Sequence, residues 1–100
     1  MKLLAIIRPR DGVDVRTGVV RHAEAELRAV WGLYRDGFVR EMYSPGGPGA
    51  LLVLEASSVE EAHQLLSSLP LLANQITAVE LIELRAFSAL QMLFSAERPA

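Results

Sequence analysis

Residues 51–84 constrain the fold more than any other part of the chain. They open with Leu51-Leu52-Val53-Leu54, an apolar run of strand length. Ser58-Val59-Glu60-Glu61 follows, the pattern of a helix N-terminus in which a serine oxygen and a glutamate three residues later serve the exposed amides of the first turn. Val59, Ala62, Leu65, Leu66 and Leu69 then recur at helical spacing, Pro70 closes the helix, and residues 76–85 read as a second strand. Strand, helix and strand in that order form one half of a layered α+β domain.

The other half repeats the plan. Residues 2–8 are a short apolar strand stopped by Pro9. Asp14 is placed to cap a helix over residues 15–35, with Val19, Val20, Ala23, Leu27, Val30, Trp31 and Tyr34 on one side and Arg21, Glu24, Ala25 and Arg28 opposite. Gly18 and Gly32 each cost such a helix about 1 kcal/mol relative to alanine, less than its apolar face supplies. Asp36-Gly37 supplies the stop. Residues 38–44 form another strand, joined by the loop Pro45-Gly46-Gly47-Pro48-Gly49 to a strand over residues 50–55. Phe87, Leu90, Leu93 and Phe94 mark a short amphipathic C-terminal helix, with residues 97–100 frayed.

The order is βαββαβ plus a tail, a ferredoxin-like α+β sandwich over residues 1–86 with a C-terminal helical segment over 87–100. Right-handed crossovers arrange the antiparallel sheet 4-1-3-2. Strands one and three are nearly all apolar, as central strands are. Strands two and four carry Arg40, Glu41, Glu80, Glu83 and Arg85, charges that guard an edge. Apolar central strands call for cover on both sheet faces, and two helices cover one. The remaining face, together with a hydrophobic fraction of 51%, predicts a homodimer packed sheet to sheet, with the tail available for subunit contacts.

Composition narrows the function. The net charge of −2 and nine scattered arginines argue against nucleic acid. The chain has no cysteine, which excludes disulfides and thiolate chemistry and fits a cytoplasmic protein. The N-terminal apolar run is too short for a signal peptide, and no stretch approaches the ~20 apolar residues of a membrane span. Two histidines, His22 and His63, have no metal-ligand spacing, so no metal site is expected. Gly46-Gly47-Pro48-Gly49 lacks the Lys-Ser/Thr of a phosphate loop.

Leu65-Leu66-Ser67-Ser68-Leu69-Pro70-Leu71-Leu72, with Ser58-Val59-Glu60-Glu61 before it and Ile76-Thr77-Ala78-Val79 after it, resembles the muconolactone isomerase family of the dimeric α+β barrel superfamily. The likeness is clearest over residues 37–83. It implies sheet-to-sheet dimers, a possible larger ring of dimers, and a cofactor-free pocket between sheet and helices. The implied reaction is migration of a double bond in a small lactone or unsaturated acid by proton transfer. The chain departs from the family where residues 43–49 replace an aromatic- and His-rich region, and where Leu72-Ala73-Asn74 replaces an aromatic and proline.

Such a reaction needs a base that returns the proton and a cation that holds a carboxylate. Glu26 is the candidate base, at the border of the first helix's apolar face, where partial burial raises a carboxyl pKa; the family carries a Glu at the matching place. His22, one turn earlier, is its candidate partner. Arg40 is the candidate substrate-carboxylate holder, also matched in the family, with Arg8 second. Tyr43 and Trp31 are candidate pocket walls. The plainer readings are a solvated Glu-His pair, an edge-strand arginine and core aromatics. The alternative function is a non-catalytic, oligomeric small-molecule-binding or assembly module, in which Trp31, Tyr34, Tyr43 and Leu72 fill the pocket.

Overall fold

The structure, a computed structural model, describes residues 1–94. The expected frayed end at 97–100 lies outside them. Strand β1 (Lys2–Pro9) leads to helix α1 (Val15–Arg35) and strand β2 (Val39–Tyr43). Strand β3 (Ala50–Glu55), helices α2 (Val59–Leu66) and α3 (Pro70–Ala73), and strand β4 (Thr77–Glu83) follow. A 3-10 segment, Ser88–Phe94, stands where a C-terminal helix was expected. The four strands form one antiparallel sheet in the order β2-β3-β1-β4, the expected order read from the other edge. The fold is the ferredoxin-like α+β sandwich.

The pleat divides the sheet. Leu3, Ala5 and Ile7 of β1 and Leu52 and Leu54 of β3 point to the helices and are buried. Leu4, Ile6, Leu51 and Val53 point to the other face. Among the described residues no α-helix packs there; beside those apolar groups Arg8 pairs with Glu80 at 3.1 Å.

The helix signals act as their chemistry requires, with two differences. Asp14 accepts from the Thr17 amide at 3.2 Å and Ser58 from the Glu61 amide at 3.0 Å. The Glu61 carboxylate closes on the Ser57 hydroxyl, so the capping box is one-sided. Pro70 does not end a helix. α2 stops at Leu66, and Pro70 is the first residue of α3, where a missing N–H costs nothing.

Helix α1 differs from its expected orientation. Its sheet-facing side is Val19, His22, Ala23, Glu26, Ala29, Val30 and Leu33, all half-buried, and no residue of α1 is fully buried. Val20, Leu27, Trp31 and Tyr34 stay 43–73% exposed, Val20 and Leu27 at the edge of the gap between helix and sheet. The apolar arc is wider than the strip that meets the sheet, and the sheet takes one side of it. The helix comes in close at Gly18, where a Cβ would stand 2.6 Å from the Ile76 Cδ1.

Candidate active site

Small residues leave the space for a site. Val15, Val19 and Ala23 of α1 lie over Ala50 and Leu52 of β3, and their side chains do not span the gap between helix and sheet. A cleft of about 1000 Å³ remains, floored by β3 and the start of β4 and bounded by residues 42–50. Its lip is held at Gly49, at φ +114°, where a Cβ would meet the Ile7 carbonyl oxygen at 2.3 Å; only glycine lets the loop pass β1 this closely.

Glu26 faces this cleft. Its Oε1 accepts the Leu71 amide at 2.9 Å. That amide belongs to the first turn of α3, whose capping residue Leu69 offers no side-chain oxygen. Glu26 therefore caps α3 from a different helix, which fixes the carboxylate in place. Burial among apolar walls raises its pKa above the ordinary 4.5; the Leu71 hydrogen bond and the charge of His22 act the other way. Among the described residues Oε2 has no hydrogen-bond partner.

The remaining candidates divide. His22 lies one turn away and acts on Glu26 through its charge. Tyr43 lines the cleft, 55% exposed, and its hydroxyl donates to the Glu41 carboxylate at 2.5 Å. That bond pushes the phenol pKa up. Trp31 does not line the cleft. It stacks on Tyr34 at 5.9 Å on the outer face of α1. Arg40 sits at the far end of β2, bonded to the Gly37 carbonyl, and does not face the cleft either. Arg8 is paired on the open sheet face. Leu72, Trp31 and Tyr34 leave the cleft unfilled.

Arg16 and Thr77 are lining residues that the sequence reading did not single out. Arg16, in the first turn of α1, borders the cleft. Thr77, 3% exposed at the start of β4, is also part of its wall, and its Oγ1 makes no hydrogen bond. A signal for Arg16 was available: Arg16, Val19, Ala23, Glu26 and Val30 form one helical stripe, and all five line the cleft. Among the described residues no three His, Cys, Asp or Glu side chains gather as metal ligands would, and no helix is long and apolar enough to cross a membrane.

No family model matches the chain, and no curated protein matches it. Solved structures do. A 5-chloro-2-hydroxyhydroquinone dehydrochlorinase from Burkholderia phenoliruptrix AC1100, in complex with 2,5-dihydroxybenzoquinone, is 17% identical with a TM-score of 0.66, covering 89% of this chain and 98% of its own. A muconolactone isomerase is 24% identical with a TM-score of 0.67, covering 88% of this chain and 93% of its own. The chain shares the fold of these two proteins over nearly their whole length.

Proposed function

We propose that the protein is a cofactor-independent, muconolactone isomerase-like enzyme that shifts a double bond in a small lactone or unsaturated acid. The observation that carries this reading is Glu26: a half-buried carboxylate, pinned through one oxygen, in the wall of an open apolar cleft. Desolvation makes such a carboxylate a stronger base than one in water. Glu26 takes a proton from the carbon that flanks the double bond and returns it to the far end of the allylic system. His22 supplies nearby positive charge when protonated. Tyr43 borders the substrate. Support also comes from the two structural neighbours, one named as a 5-chloro-2-hydroxyhydroquinone dehydrochlorinase and the other as a muconolactone isomerase.

The test is incubation of the protein in D2O with a panel of β,γ-unsaturated acids and carboxymethyl butenolides, followed by NMR. A member of the panel acquires deuterium and shifts its double bond with the wild type, and Glu26→Gln abolishes both while folding normally. Equal exchange with the Gln variant would remove Glu26 from the mechanism. No exchange with any member would favour the binding-module alternative.

We also infer that the chain works as a homodimer in the cytoplasm, packed through the helix-free sheet face. Leu4, Ile6, Leu51, Val53 and Ile82 make that face apolar. The C-terminal segment offers Phe87, Leu90 and Phe94, 56–82% exposed, to the same assembly. Analytical ultracentrifugation at micromolar concentration checks this, and a monomer there contradicts it.

A further inference from the structure

The cleft holds a basic group as well as an acidic one, and the two stand apart. Most arginines of the described chain are committed elsewhere. Arg8, Arg28, Arg35 and Arg85 pair with carboxylates, while Arg10 and Arg40 donate to backbone carbonyls. Arg16 lines the cleft and makes no ion pair or hydrogen bond among the described residues. Ten residues of helix separate it from Glu26, which is about 15 Å of axial rise. That separation exceeds the ~8–10 Å over which exposed charges act in physiological salt, so neither neutralises the other. His22, not Arg16, is the charge that acts on Glu26. Between the two ends the wall is Val19 and Ala23, over Leu52 of the sheet. The buried hydroxyl of Thr77 adds an unpartnered polar group to the same wall.

We propose that Arg16 and Thr77 are the anion-binding end of the cleft, and that the ligand is an organic acid whose carboxylate is separated by an apolar body from the carbon facing Glu26. Arg16 pairs with the carboxylate at the mouth, and Thr77 donates its hydroxyl to an acyl oxygen below it. This assignment rests on the proposed function for the role of Glu26. It adds to that reading a carboxylate site at Arg16, where the sequence pointed to Arg40, and requires an elongated acid.

The test measures dissociation constants of 4-phenylbutyrate and its amide by NMR shift mapping on the wild type and four variants. The wild type prefers the acid by about tenfold, and Arg16→Gln removes the preference. Arg21→Gln, changing an exposed arginine outside the cleft, keeps it. Thr77→Val weakens acid and amide alike by several-fold, and Thr77→Ser restores both. A retained preference in Arg16→Gln, or unchanged binding in Thr77→Val, overturns the assignment, while the deuterium experiment still judges Glu26. Binding of neither probe to the wild type overturns the elongated-acid ligand, and if deuterium exchange is absent as well, the functional reading falls with it.

Discussion

The two βα halves of the domain share a plan and differ in how completely they close. In the second half, Ala62 and Leu66 of α2 and Leu69 beyond it are fully buried. In the first half, α1 is 21 residues long and buries none of them fully. The reason lies in side-chain size. The inner side of α2 presents leucines to the sheet. The inner side of α1 presents glycine, alanine and valine along its first half and a carboxylate at its middle. The closed half supplies stability, and the open half leaves room for a ligand. The halves meet at Glu26, whose carboxylate caps α3 across the gap.

The sharpest way to break the comparison is truncation in each half. Leu66→Ala should cost about 3–4 kcal/mol in chemical denaturation, as a fully buried leucine does. Leu27→Ala, at a site 70% exposed, should cost under about 1 kcal/mol. Equal costs would mean that α1 is buried by something beyond the single chain. The two helix glycines give a smaller contrast. Gly32 has open space around its would-be Cβ, so Gly32→Ala should stabilise by about 1 kcal/mol. Gly18→Ala meets Ile76 and should destabilise by about 1–2 kcal/mol, with Gly18→Ala/Ile76→Val recovering part of the loss.

Thr77→Val should raise stability by up to about 1 kcal/mol, because it removes a buried hydroxyl that has no partner. A fall in stability would mean that the hydroxyl is satisfied in solution. Smaller still is the pH effect of Glu26. Its folded pKa is raised, so the native state binds a proton more readily than the unfolded chain. Its contribution is most favourable below the unfolded value near 4.5 and falls as pH rises through the folded value. Glu26→Gln should therefore match the wild type at low pH and gain relative to it as pH rises above the ordinary value of 4.5.

The sequence carried the architecture because local signals agreed with one another. Asp14, Ser58, Gly37 and the apolar runs each point to the element that forms. The place of Glu26 beside the cleft was legible because a carboxylate at the edge of an apolar helical stripe is a local oddity. Arg40 and Trp31 lie away from the cleft for a tertiary reason. The side of α1 that meets the sheet, and the end of the sheet that stays open, follow from small residues on two elements distant in sequence. Gly18 against Ile76 and Gly49 against Ile7 set those approaches, and no window of the chain contains both partners. The same tertiary choice brings Arg16 to the cleft.

The most direct measurement is the pH titration of the Glu26 carboxyl carbon by NMR in the ligand-free protein. A midpoint above 4.5 that moves when a carboxylate ligand is added is the expected result for a desolvated carboxylate facing an accessible cleft. A midpoint at or below 4.5, insensitive to ligand, would mean that Glu26 is a solvated capping residue and that the open half of the fold holds no acid-base site.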